Sequence, residues 1–352
     1  MRQKRVLIVD DSATIRQIIR ARVAQDPRLV VVGEAGDPYE AREKIKLLLP
    51  DVLTLDVEMP RMNGIAFLDK IMRLRPMPVI MISTLTHRGS AAAIEAMSLG
   101  AVDCVGKPIS GDIGAAFADL PDKLFTAASA NIRIRESVSR PPPREHFQWN
   151  GSYVLIGSST GGVDALETVL ASFPQNCPPT LIAQHMPPTF LESFARRLDT
   201  RIAPRLTLAS EGAALLPGHV YLAPGGEYHL ELDVGQPPRC HLRASEKVSG
   251  HRPSVDLLFA SAKEIASRAV CVLLTGMGRD GAHGMGIMRK AGARCLAQDE
   301  ATSVVYGMPK AAIETGAAEK ALPLSEIAEE VLSICSQKKR VSAFGGSENA
   351  TW

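Results

Sequence analysis

Three carboxylates stand where a β/α chain would bring them to one edge: Asp10 and Asp11 after the apolar run "RVLIV", and Asp56 at the end of "DVLTLD". Packed together they repel one another unless a cation intervenes, and hard oxygen ligands at that density suit Mg²⁺. A divalent ion beside Asp56 would also neutralise an incoming phosphoryl group. Lys107, ending "AVDCVGK", can act as a point charge on phosphate oxygens, and Ser83 after "PVIMI", or the adjacent Thr84, can donate a hydroxyl to them. The set reads as a carboxylate that accepts phosphate. Any one of these acids could equally open a helix or sit solvated in a loop; the reading rests on five strand ends taken together.

A second group lies beyond residue 150. In "VLIGSSTGG", Gly157 to Gly161 match G-x-S-x-G between a strand-like and a helical stretch, the context of a nucleophile elbow whose glycines relieve a sharp turn. The spacing selects Ser159 over Ser158. So short a motif also makes ordinary turns, and a serine hydroxyl needs a base to attack at neutral pH. His185 follows the apolar run "TLIAQ", and Asp280 follows "AVCVLLTG" within "MGRDG". Each alone has a structural reading. Jointly, Ser159, His185 and Asp280 follow three parallel strands whose ends can meet, in a chain order unlike the Ser, Asp, His of α/β-hydrolases. A rival reading takes Gly276 to Gly281 as G-x-G-x-x-G with Asp299 as a ribose-binding acid, but it leaves Ser159 and His185 unused. In "HRPSVD", Asp256 is expected to cap a helix, with His251 and Arg252 lining a substrate groove or pairing with acidic neighbours. His219, His229 and His241 read as surface or core residues.

The elements that must position these residues alternate. "RVLIV", "LVVVGEA", "DVLTLD", "PVIMIS" and "AVDCVGK" are nearly continuous in apolar residues, as parallel strands covered on both faces are. Ser12 can cap a helix whose Ile15, Ile18, Ile19 and Val23 share a face. The fold class is therefore α/β, with two doubly wound parallel-sheet domains whose sites lie beyond the carboxyl ends of the strands. Around "RPPPR" the text loses apolar periodicity and reads as a semi-rigid linker. The expected division is residues 1–122, a linker over 123–150, a second domain over 151–337 and a loose tail over 338–352. A chain of 352 residues with net charge +2 and 22% charged residues suits two globular domains and gives no footprint for nucleic acid. Its longest apolar runs fall short of the ~20 residues of a membrane span, and no signal-like start precedes "RVLIVDDS", so the expected place is the cytoplasm. Six scattered cysteines offer neither a CxxC pair nor zinc spacing.

Residues 1 to about 120 closely resemble the receiver domain of bacterial response regulators, a flavodoxin-like fold, through "VDDS", "LDVEMPRMNG", "MIST" and "GKP" in order. The resemblance implies that Asp56 is phosphorylated by a histidine kinase, that Asp10 and Asp11 hold Mg²⁺ with it, and that Ser83 and Lys107 sense the phosphate. Residues from about 150 to 336 look like the catalytic domain of chemotaxis protein-glutamate methylesterases, through "GSSTGG", "QHMPPTF", "LAPGG", "HRPSVDLLF", "LLTGMGRDGAHGM" and "AQDEATSVVYGMP". That second resemblance, to a Rossmann-like serine-esterase fold, implies Ser159 as nucleophile, His185 as base and Asp280 as its orienting carboxylate. Backbone N–H groups near His185 and Met277 would face the oxyanion, and Thr160 would help hold the serine or its base. It further implies demethylation of chemoreceptor glutamates with release of methanol, deamidation of receptor glutamines, and inhibition by the receiver. A monomer is expected, without a cofactor for hydrolysis. Ser158 stands where alanine is common in the family, and "GGEYHLEL" is a residue longer than usual. The alternative class is a response regulator whose second domain binds a partner or nucleotide without hydrolysis.

Overall fold

The computed structural model describes residues 2–84, 86–107, 117–132 and 147–337. Pro108, the triple proline of the expected linker and the expected tail lie outside them.

The first unit alternates strand and helix: β1 (Lys4–Val9), α1 (Ala13–Val23), β2 (Leu29–Ala35), α2 (Pro38–Leu48), β3 (Val52–Asp56), α3 (Gly64–Leu74), β4 (Val79–Ser83), α4 (His87–Ser98), β5 (Asp103–Gly106) and α5 (Leu120–Ala127). Its parallel sheet has the order β2-β1-β3-β4-β5. Every residue of β3 and β4 is buried, which is why those stretches read as unbroken apolar runs. Ser12 caps α1 by accepting from Ile15 N–H, as its sequence context predicts, and Asn63 caps α3 through Ala66 N–H. Helix α5 buries Leu120, Leu124 and Ala127, so the first unit continues past residue 122, where the linker was expected to begin. A helix of two turns opened by Pro121 shows too little periodicity to be read from sequence.

The second unit contains β6 (Tyr153–Ser158), α6 (Gly162–Leu170), β7 (Thr180–Gln184), α7 (Pro188–Asp199), β8 (Arg205–Leu208), β9 (His219–Leu222), a hairpin of β10 (Tyr228–Asp233) and β11 (Arg239–Ala244), and α8 (Val255–Ser261). It continues through β12 (Ala269–Leu273), α9 (Ala282–Lys290), β13 (Arg294–Gln298), α10 (Met308–Glu314), β14 (Lys320–Leu322) and α11 (Leu324–Ile334). Seven strands form a parallel sheet in the order β14-β13-β12-β6-β7-β9-β8. The chain winds outward from β6 through β7, then returns to β12 on the other side. The strand order therefore reverses between β6 and β12, where doubly wound folds open their crevice.

The two units are docked. Helix α4 packs along α7 and against α6. Ile94 and Met97 of α4 belong to one buried apolar cluster with Val163 of α6 and Phe190 and Phe194 of α7.

Candidate active site and phosphorylation site

In the first unit, β1 delivers Asp10, β3 delivers Asp56 and β5 delivers Lys107 to one rim. Lys107 Nζ lies 2.8 Å from Asp56 Oδ2 and 3.1 Å from Asp10 Oδ2. Asp10 and Asp56 are buried and Asp11 is exposed, with one oxygen of each within 4.8 Å of the others. Burial pushes the Asp56 carboxyl up to about 6, and the charge of Asp10 adds to it, against the opposing pull of Lys107 and the Glu58 N–H. Burial likewise raises Asp10. Two crowded, desolvated carboxylates beside a third that is open to water have the donor set of a hard divalent cation. Ser83 Oγ donates to the carbonyl of Gly89 in α4 at 2.9 Å. Thr84 Oγ1 pairs instead with Thr86 Oγ1, 3.1 Å away. Gly64 is required by close approach: a Cβ there would stand 1.9 Å from the carbonyl oxygen of Asp56.

In the second unit, Ser159, His185 and Asp280 follow β6, β7 and β12, three adjacent strands. Ser158 Oγ donates to Gln184 Oε1 at 2.6 Å in the core, whereas the Ser159 hydroxyl takes no partner among the described residues. The backbone of Ser159 is pinned by its N–H to Thr275 O at 3.0 Å and by its carbonyl, which accepts from Gly162 N–H and Gln184 Nε2. Gly161, at φ 79°, makes the turn into α6. His185 Nε2 and Asp280 Oδ2 are 2.8 Å apart. His185 Nδ1 is buried and has no hydrogen-bond partner among the described residues. No hydrogen bond joins Ser159 to His185; such contacts are often long before substrate arrives.

Asp280 is held from every side. It accepts from Val255 N–H at 2.8 Å, Ser254 Oγ at 3.0 Å, and the N–H groups of Asp256 and Gly281 at 3.1 Å. Burial would raise this carboxyl, but the bond from His185 and the backbone donors outweigh it and hold it at about 2. Within "HRPSVD", Ser254 caps its own helix, α8, by accepting from Leu257 N–H. Asp256 reaches across to cap α9, accepting from Gly281 N–H at 2.9 Å and Gly284 N–H at 2.7 Å. Asp299 accepts from Thr302 N–H and Oγ1 in a local turn.

Thr160 also departs from expectation. Its hydroxyl holds neither the serine nor the base; it donates to Asp103 Oδ2 in the first unit at 2.9 Å. Asp103 opens β5 beside α5, so the nearest acceptor lies across the seam, and Lys123 Nζ of α5 shares the same carboxylate oxygen at 3.1 Å. Thr126 Oγ1 lies 3.3 Å from Met277 Sδ, and Asn131 N–H donates to Val304 O at 3.1 Å. The first unit therefore contacts both flanks of the rim that carries Ser159. The His185 N–H is used by Ser158 O at 3.1 Å, while no described residue takes the N–H of Met277.

A carboxylate–lysine rim and a serine-histidine-aspartate rim, each at a switch point of its own doubly wound sheet in two units that dock on each other, define a receiver-regulated serine hydrolase. Residues 154–331 match the family model described as CheB methylesterase, and residues 6–114 match that of the response regulator receiver domain. The chain belongs to the CheB methylesterase family. It is 56% identical to a protein-glutamate methylesterase/protein-glutamine glutaminase of Rhizobium johnstonii, covering 95% of this chain and 97% of that protein. It is 54% identical to a protein of the same description from Caulobacter vibrioides, covering 96% of this chain and all of that one. Among solved structures, the catalytic domain of the Thermotoga maritima CheB methylesterase superposes with a TM-score of 0.51 at 40% identity, covering 53% of this chain and 99% of that domain.

Proposed function

We propose that this chain is a phosphorylation-controlled serine hydrolase that removes γ-methyl esters from glutamates on the cytoplasmic helices of chemoreceptors, and that it deamidates receptor glutamines at the same site. What carries the reading is the convergence of Ser159, His185 and Asp280 on the ends of three neighbouring strands, with the His185–Asp280 pair already made at 2.8 Å. Ser159 Oγ attacks the ester carbonyl while His185 takes its proton, on Nδ1, since Asp280 occupies Nε2. The oxyanion faces backbone donors such as the Met277 N–H. The tetrahedral intermediate collapses, His185 returns the proton to the leaving oxygen, and methanol departs. Water, deprotonated by His185, then attacks the glutamyl ester of Ser159, freeing the serine and a glutamate side chain. Asp280, ionised far below neutrality, stabilises the imidazolium in both halves.

The receiver takes its phosphate from a histidine kinase at Asp56. Asp10, Asp11 and Asp56 would hold Mg²⁺, whose chemistry there is to neutralise the charge brought in with the phosphoryl group. Phosphoryl oxygens on Asp56 attract Lys107 away from Asp10 and draw the Ser83 hydroxyl off Gly89. Gly89 lies in the first turn of α4, the helix that packs along α7, so a change there reaches the seam that covers the active rim. A few kcal/mol between two packings suffices for such a switch. Residues 1–127 then form the receiver and 151–337 the esterase. Among the described residues no helix is long and apolar enough to cross a membrane, in keeping with work in the cytoplasm.

The test is methanol release from methyl-labelled receptor membranes by wild type and Ser159→Ala, each with and without a small phosphodonor and Mg²⁺. Release by wild type only, rising with phosphodonor, supports both the hydrolase and the switch. No release from wild type whose Asp56 is phosphorylated would move the second domain to the binding class.

A further inference from the structure

His251 is a half-buried titratable group beside the active rim that the reaction above leaves unused. Its ring lies flat on that of His185, with centroids 3.8 Å apart and planes within 6°. The segment that carries it is fixed at several points. Val248 and His251 exchange both backbone hydrogen bonds, at 3.0 and 2.9 Å. The Arg252 guanidinium donates to the carbonyls of Gly226 and of Ser245, the latter at 2.7 Å. Ser254 N–H donates to His229 Nδ1 at 3.0 Å, and Ser254 Oγ reaches Asp280 Oδ1. Residues 251–256 thus touch the ring face of His185 and the carboxylate that orients its edge.

One hydrogen bond at Nε2 fixes a point of the His185 ring and leaves it free to rock about that bond. A second ring stacked on its face fixes the plane. We propose that His251 is a positioning residue for His185: its imidazole face sets the plane in which the base meets Ser159 and, during turnover, shields one face of the imidazolium from water. Burial first, then the proximity of His185, pushes His251 down to about 4. Of the charged groups around it, Asp280 opposes that shift, while Lys123 from α5 and Lys247 on its own segment reinforce it. At neutral pH the base is therefore stacked on an uncharged ring, which attracts a cation through its π face, where a protonated ring would repel it.

This inference rests on His185 being the base, and the experiment separates the two. Methanol release by the full chain with saturating phosphodonor is followed for wild type, Ser159→Ala, His251→Ala and His251→Phe. Misplacing a catalytic group by about 1 Å costs on the order of a hundredfold, so His251→Ala is expected to lose ten- to a hundredfold in kcat with KM within about threefold. His251→Phe keeps a flat face and is expected to retain kcat within about threefold of wild type. Wild-type kcat in His251→Ala, or a loss in His251→Phe equal to that in His251→Ala, overturns the proposal. If Ser159→Ala is silent while His251→Ala matches wild type, the positioning role alone fails. If Ser159→Ala turns over like wild type, the hydrolase reading itself fails.

Discussion

Asp56 and Asp280 are both buried aspartates at a switch point of a doubly wound sheet, yet their carboxyls are displaced in opposite directions, up to about 6 and down to about 2. Burial raises both. What differs is the supply of donors. Asp56 accepts from one backbone N–H, that of Glu58 at 3.2 Å, shares Lys107 with Asp10, and feels the charge of Asp10 nearby. Asp280 accepts from three backbone N–H groups, one hydroxyl and His185. A phosphate acceptor benefits from being under-compensated, because an incoming cation then relieves a strain already present. A carboxylate that must stabilise an imidazolium benefits from being ionised at every working pH.

The largest expected effect breaks the second half of the comparison. Asp280→Asn keeps the shape but presents an amide to His185, and in a serine-hydrolase triad that exchange costs about 10⁴ in kcat. Methanol release with saturating phosphodonor checks it; a loss of less than tenfold would mean that Asp280 only props the loop.

Stability against pH sharpens the contrast. Raised in the folded state, the Asp56 carboxyl destabilises the fold once it ionises above about 6, and the cost disappears as pH falls through 6 toward 4. Its displacement corresponds to about 3 kcal/mol. Asp56→Asn, without divalent cation, should therefore melt higher than wild type at pH 7.5 and higher by clearly less at pH 4.5, as read by thermal unfolding. Asp280 has the opposite sign: held at about 2, it contributes stability above pH 4 that is lost as pH falls toward 2. Asp280→Asn should melt lower than wild type at pH 7.5. Shifts of the same sign in both variants would refute the electrostatic account.

Much of this arrangement is legible in the sequence because buried parallel strands write themselves as apolar runs and place functional groups at their ends. Asp10, Asp56, Lys107, Ser159, His185 and Asp280 all stand where those runs stop. Illegible were contacts between elements distant in the chain. The hairpin Tyr228–Ala244 lies outside the main sheet and turns through a loop without a tight-turn signature. The stack of His251 on His185 joins residues that no local pattern relates, and only the fold that brings residues 251–256 under the triad reveals it. Thr160 was misassigned for the same reason: its partner, Asp103, belongs to the other sheet.

The smallest expected effect probes that seam, where the two units that carry the compared aspartates meet. Asp103 Oδ2 joins Thr160, next to the nucleophile, to Lys123 on the receiver side. Asp103→Ala removes the hydrogen bond that Thr160 makes across the seam, worth on the order of 1 kcal/mol to the docked packing, so the released population should rise about fivefold. Basal methanol release should rise by a similar factor, and the rate with saturating phosphodonor should stay close to that of wild type, since the phosphorylated receiver has already let go. Asp122→Ala removes the exposed Arg28–Asp122 pair, away from the seam, and should change neither rate. An unchanged basal rate in both Asp103→Ala and Thr160→Val would assign the docking to the apolar seam of α4 and α7 and to the contacts of Thr126 and Asn131. The polar contact beside Ser159 would then be a consequence of the packing rather than a cause of it.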